Sequence, residues 1–334
     1  MMASTAASVF PDDLLREIFL RLPAGSAKEI RSWDGILCVE FDKCIGPYDS
    51  CPYWYVLLNP VSRACTIVSA PDPCREEGPS RVVSTRGYIA GAYSHPVTGA
   101  FHLLHCSLYH IIGADEDVLL PCFQLLRVDG SPASTWREIP ASTDICTTTL
   151  ESVISRSRCA STATVHGILH WRPTHREQKE LLVYDTQKEE FGSMPLPKLG
   201  NGEDALAVSQ RSISTLAGKL CLLAEVEASN TTEVWVLEDY QSQDWRLRQR
   251  IQIPFTPIFV IYGMDELRSV EPIGGVSGQV EKMIFHGTLE AVYHVRSSQW
   301  WWLNVWATLH RESLLPHELS FGAAPRARGF DFSQ

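Results

Sequence analysis

A strand grammar that recurs through most of the chain restricts its fold more than any other feature. One copy runs Trp33-Asp34-Gly35-Ile36-Leu37-Cys38-Val39, then Tyr55-Val56-Leu57-Leu58-Asn59-Pro60, then Cys65-Thr66-Ile67-Val68. A second runs Val165-His166-Gly167-Ile168-Leu169-His170-Trp171, then Leu181-Leu182-Val183-Tyr184-Asp185-Thr186, then Phe191 to Pro197. A third runs Leu216-Ala217-Gly218-Lys219-Leu220-Cys221-Leu222, then Val234-Trp235-Val236-Leu237-Glu238-Asp239, then Trp245 to Pro254. In each copy glycine permits the positive φ of a tight turn into the first strand, and Asn-Pro or Asp-Thr reverses the chain into the third. Partial copies lie at Gly99 to Leu104 with Phe123 to Asp129 and Trp136 to Pro140, and at Phe285-His286-Gly287 to Tyr293. Short strands at short intervals, with no helical period between them, predict an all-β array. Units of roughly fifty residues predict a kelch-like β-propeller of about six blades, each burying a face against its neighbours.

The start of the chain has a different period. In Phe10-Pro11-Asp12-Asp13-Leu14-Leu15-Arg16-Glu17-Ile18-Phe19-Leu20-Arg21-Leu22-Pro23, residues Leu14, Leu15, Ile18, Phe19 and Leu22 gather on one face of a helix. Pro11 suits a first helical turn, Asp12 and Asp13 complement the helix dipole, and Pro23 ends the element. A helix this short is marginal alone, so its apolar face needs a surface, either its own domain or another protein.

This string resembles the opening of an F-box, Leu-Pro-x-Asp/Glu-Leu-Leu-x-x-Ile-Leu/Phe-x-x-Leu-Pro, with Phe10 in place of the first leucine. The resemblance implies docking of Pro11, Leu14, Leu15, Ile18, Leu22 and Pro23 on a Skp-type adaptor and, through it, on a cullin. An intact F-box continues through two further helices. Here the chain passes from Ala24-Gly25-Ser26-Ala27 directly to Lys28-Glu29-Ile30-Arg31-Ser32-Trp33-Asp34-Gly35. The ordered series Ser-Trp-Asp-Gly-Ile-Leu-Cys, Leu-Leu-Asn-Pro-x-Ser-Arg, Gly-Ile-Leu-His-Trp, Val-Tyr-Asp-Thr and Glu-Val-Trp-Val-Leu-Glu-Asp-Tyr is similar to the F-box-associated interaction domain of plant F-box proteins. That resemblance implies a β-rich module that captures a target protein for ubiquitination. The expected division is a disordered start (1–9), a partial F-box helix (10–27), a propeller-like domain (28–310) and a C-terminal tail (311–334).

Composition narrows the partners. A net charge of −10, from 39 acidic and 29 basic residues, disfavours a nucleic-acid binder that relies on phosphate neutralisation. The first thirty residues lack a secretory pattern, and no run of about eighteen apolar residues suggests a membrane span. The ten cysteines include no Cys-x-x-Cys pair, which fits reduced thiols better than a disulfide framework or a zinc site. The cytoplasm or nucleus is the expected location, and Asn230-Thr231-Thr232 is then a glycosylation acceptor without use.

No catalytic constellation emerges, and neither a cofactor nor a metal is expected. His166 and His170 lie four apart, which on a strand separates the rings by about 13 Å. His102 and His105 point to opposite strand faces, and with His110 they read as ordinary strand histidines. Gly274-Gly275-Val276-Ser277-Gly278 fits neither a nucleophile elbow nor a phosphate loop and reads as a turn. Trp300-Trp301-Trp302 with Trp306 offers either blade packing or an exposed aromatic platform. Alternation in Trp245-Arg246-Leu247-Arg248-Gln249-Arg250-Ile251 predicts that Arg246, Arg248 and Arg250 share one strand face. That face is either a solvated edge or a grip for an acidic target segment. The readings carried forward are a substrate receptor of a ubiquitin ligase, a related interaction module that cannot recruit the adaptor, and a propeller enzyme with its site at the channel mouth.

Overall fold

The computed structural model describes residues 27–42, 53–59, 62, 64–71, 81–112, 117–128, 135–140, 162–172, 178–198, 208–226, 231–253, 269–274, 278–286 and 290–303. The expected N-terminal helix, with all six adaptor-contact residues, and the expected tail lie outside them, as does Trp306. Every described element is a strand.

The described strands form five antiparallel sheets, each of four strands in sequence order. The first holds β1 (Ala27–Trp33), β2 (Ile36–Asp42), β3 (Tyr53–Asn59) and β4 (Ala64–Ser69). The second holds β5 (Arg81–Ser94), β6 (Phe101–Ile112), β7 (Asp117–Val128) and β8 (Arg137–Ile139). The third holds β9 (Thr162–Val165), β10 (Ile168–Trp171), β11 (Glu180–Asp185) and β12 (Glu190–Pro195). The fourth holds β13 (Val208–Leu216), β14 (Lys219–Val226), β15 (Thr231–Asp239) and β16 (Asp244–Gln252), and the fifth β17 (Ser269–Gly274), β18 (Val280–His286), β19 (Glu290–His294) and β20 (Gln299–Leu303). The chain divides into two compact units, one carrying the first sheet and the other carrying sheets two to five.

About six blades were expected, and the described residues contain five sheets, one for each full or partial copy of the grammar. The strand count per sheet is a correction: each has four strands instead of three. The strand missed in the full copies precedes the glycine turn, as β1, β9 and β13. Stretches such as Val208-Ser209-Gln210-Arg211-Ser212-Ile213-Ser214-Thr215-Leu216 carry too many small polar side chains to read as strands unaided. They are strands because a greasier neighbour pairs with them, as Ile213 does opposite Leu222.

The glycine expectation holds. The turns joining first and second strands place Asp34-Gly35 at φ 46° and 77°, His166-Gly167 at 53° and 73°, and Ala217-Gly218 at 51° and 78°. Two successive positive φ values match the right-handed twist of a hairpin, and only glycine adopts the second without steric cost.

Within the larger unit the first strands approach one another in order, β5 against β9, β9 against β13 and β13 against β17. Each sheet therefore turns its first strand inward and its fourth outward, which is the arrangement of consecutive propeller blades. Each junction between blades is its own core. Between the second and third sheets Phe123, Trp171, Tyr184 and Phe191 are buried, with Phe123 and Phe191 ring centroids 4.2 Å apart. Trp171 Nε1 donates across that junction to the Ala90 carbonyl at 3.1 Å. Between the third and fourth sheets Leu181, Met194, Leu222 and Leu237 pack together, and between the fourth and fifth Val234, Val236, Met283 and Tyr293.

Candidate functional site

A cleft of about 610 Å³ lies between the end of β12 in the third sheet and the β15–β16 hairpin of the fourth. Its walls are Pro195 at the end of β12, Leu196 and Lys198 after it, and Trp235, Asp244 and Trp245 from β15 and β16. Both indoles are held. Trp245 Nε1 donates to the Pro195 carbonyl at 3.2 Å, and Trp235 Nε1 donates to Glu233 Oε2 at 3.0 Å. With their N–H groups satisfied, the rings offer fixed apolar faces. Nothing in the sequence marks this cleft, because its walls lie some forty residues apart along the chain and meet only when the blades pack.

Arg246, Arg248 and Arg250 lie on β16, beside this cleft, and all three are exposed. Their expected common face is corrected by the sheet register. Residues directly opposite in an antiparallel pair share a face. Arg246 stands opposite Val236, which packs toward the fifth sheet, whereas Arg250 stands opposite Glu233, on the face that carries Trp235. A register shift between Val234 and Trp235 leaves Arg248 as an extra residue in β16 and turns the strand over. A second shift leaves Glu238 extra in β15. The two surplus residues meet in an ion pair at 2.6 Å.

Each arginine has a carboxylate in its own sheet. Arg246 pairs with Asp244 at 2.8 Å and Arg250 with Glu233 at 3.0 Å. Glu238 also takes Lys219, and the hydrogen bond from Lys219, with Arg248 nearby, holds the Glu238 carboxyl below the usual carboxylate range. Asp244 is thus neutralised by Arg246. Lys198, exposed on the opposite wall, has no carboxylate partner among the described residues.

The histidines behave differently from the sequence expectation. His166 lies in the β9–β10 turn at φ 53°, not in a strand. The rings of His166 and His170 both contact Tyr240 edge-on, each with centroids 5.7 Å apart. His170 is fully buried, with Nδ1 donating to the Ala163 carbonyl at 3.0 Å and Nε2 facing the Tyr240 hydroxyl at 2.8 Å. A neutral ring then accepts the tyrosine proton at Nε2. Burial pulls its pKa down to about 4. His102 stacks on Tyr93 at 5.2 Å, while His105 packs on Trp136 at 5.5 Å. The side chain of His110 lies outside the described residues. No group of three or more potential metal ligands occurs among the described residues.

The tryptophan run divides between its two readings. Trp300 packs on Tyr293 at 4.9 Å and Phe285 at 5.1 Å, as a core ring. Trp301, its neighbour on the other face of β20, is 51% exposed and lies beneath Lys282. Gly274 ends β17, and Gly278, at φ 69°, lies in the turn before β18, so the glycine-rich stretch serves a strand connection.

The arrangement defines a β-propeller type of protein. Residues 142–269, which span the third and fourth sheets and the cleft, match the family model described as F-box protein At3g26010-like, beta-propeller. No curated protein matches the chain. Among solved structures it is similar to the Bombyx mori GH32 beta-fructofuranosidase BmSUC1, at 12% identity and a TM-score of 0.39, over 84% of this chain and 62% of that one. It is also similar to 1,3Gal43A, an exo-beta-1,3-galactanase from Clostridium thermocellum, at 11% identity and a TM-score of 0.35, over 84% and 62%. The chain thus spans less than two thirds of the length of either enzyme.

Proposed function

We propose that this protein is the target-recognition subunit of a Skp-cullin-F-box ubiquitin ligase and performs no bond chemistry of its own. The observation that carries the proposal is the match of residues 142–269 to an F-box propeller family model, in a chain whose residues 10–23 resemble the opening of an F-box in sequence. Pro11, Leu14, Leu15, Ile18, Leu22 and Pro23 dock on the adaptor, and the blades hold the target. Holding a target beside a ubiquitin-loaded enzyme raises its effective concentration, which is the contribution required of such a subunit. The cytoplasm or nucleus is the compartment in which this reading applies.

Replacing Leu15 and Ile18 by Asp buries unpaired charge in a helix-binding groove, so adaptor retention on the immobilised full chain falls at least tenfold. A wild-type chain that retains no adaptor rejects the proposal. The second reading, an interaction module that binds targets without delivering them, is favoured by the abrupt passage from Ala24-Gly25-Ser26-Ala27 to the first strand. The same adaptor measurement separates the two.

Arg246, Arg248 and Arg250 are proposed target contacts, each offering guanidinium donors outward while a carboxylate behind it fixes the side chain. Glutamine at all three positions tests this better than charge reversal, which sets new carboxylates against Glu233 and Glu238. Target capture is expected to fall severalfold in a quantitative pull-down, and unchanged capture removes these residues from the contact surface.

A further inference from the structure

We infer that the cleft between the end of β12 and the β15–β16 hairpin receives a segment of a partner protein in which an aromatic or aliphatic side chain is accompanied by a carboxylate. This deepens the target-recognition reading and rests on it. The apolar requirement comes from the walls. Pro195, Leu196, Trp235 and Trp245 supply hydrophobic surface, and the two indoles are already held by hydrogen bonds to Glu233 and the Pro195 carbonyl. Surfaces fixed before binding lose little conformational freedom when a side chain enters. A volume of about 610 Å³ suits a few side chains, well short of a folded domain.

The charge requirement comes from Lys198. The cleft walls carry two ionised groups, Lys198 and Asp244, and Arg246 neutralises Asp244 at 2.8 Å. Lys198 is left uncompensated among the described residues, on a chain whose net charge is −10. An acidic segment is repelled by the protein at large and attracted at this wall, so the lysine selects both sign and position.

The test uses the full chain on an immobilised array of octapeptides. Half of them carry Glu, and half Lys, two residues from a Phe or Leu, with the other positions randomised. The wild type is expected to give about five- to tenfold more signal on the Glu half. Lys198→Glu is expected to invert that preference, and gain of binding to the Lys half shows that the variant is folded. Equal signal on both halves, an unchanged preference in the variant, or a cleft occupied by a second copy of the chain, seen as a dimer that Lys198→Glu dissociates, overturns the inference. Adaptor retention measured on the same preparation reports on the ligase reading separately. Glu-selective binding without adaptor retention supports the cleft assignment and removes the ligase. Adaptor retention without Glu-selective binding leaves the ligase and removes the cleft assignment.

Discussion

Alanine at Gly87 is expected to destabilise the protein by about 3 kcal/mol or more, the range of severe overpacking in a filled core. A β-carbon there would lie 2.2 Å from His105 Cε1, 2.5 Å from His105 Nε2 and 2.7 Å from the Cys106 carbonyl oxygen. The ring has little room to retreat, since His105 is buried against Trp136. Removing the ring leaves the backbone contact, so Gly87→Ala with His105→Ala recovers only part of the loss. Gly99→Ala is the control, because nothing lies within 4 Å of a β-carbon there and its φ of 67° imposes only local strain. Its cost is about 1 kcal/mol. Urea unfolding midpoints measure both, and a Gly87→Ala midpoint equal to the wild type's would show that the β5–β6 pairing is not packed as described.

Acid should weaken the fold well before carboxylates are neutralised. Burial lowers the pKa of His105 to about 3 and of His170 to about 4, against 6.5 for a free imidazole. Both folded values are depressed, so the unfolded chain binds more protons than the native one below pH 6.5. Their stabilising contribution is complete above about pH 6.5 and is lost as the pH falls toward 4, at up to roughly 3 kcal/mol per pH unit where both sites differ fully. The cause at His170 is its burial, which disfavours the charged ring. His170→Gln should remove about half of the slope between pH 6.5 and 4.5. A wild-type unfolding midpoint that is flat over that interval would contradict the burial of these rings.

The proposals place the chemistry of recognition on different structural levels. The adaptor helix depends on a contiguous apolar stripe and stands or falls with a few residues near the start of the chain. The cleft depends on two strands from neighbouring blades. Its preference is therefore sensitive to blade packing as well as to Lys198, whereas adaptor docking should survive changes in the blades.

Glycine turns were legible because φ is a local property, and in the three full copies the second residue of the turn between first and second strands sits at φ 73° to 78°, which glycine adopts without steric cost. The apolar middle strands, such as Leu181 to Tyr184, were legible because burial on both faces leaves a continuous hydrophobic run. The first strand of each full copy was not. Its polar residues become strand only through a partner supplied elsewhere in the sheet. Strict alternation misplaced the arginines because a bulge inserts one residue into the ladder, and nothing in Arg246-Leu247-Arg248-Gln249-Arg250 announces where the register slips. His166 and His170 were set about 13 Å apart on the rise of a strand. The turn at His166 instead places both rings on Tyr240, some seventy residues away.

By itself the amino-acid order determined a domain of repeated β units and the positions of their tight glycine turns, because these follow from periodicity and local backbone freedom. Only the tertiary structure decided which way each edge side chain faces, that His170 is held neutral, and that Lys198 shares a cleft with two fixed indoles. Those outcomes depend on register and on which blade lies beside which, and contacts between residues forty or more apart leave no local trace to read.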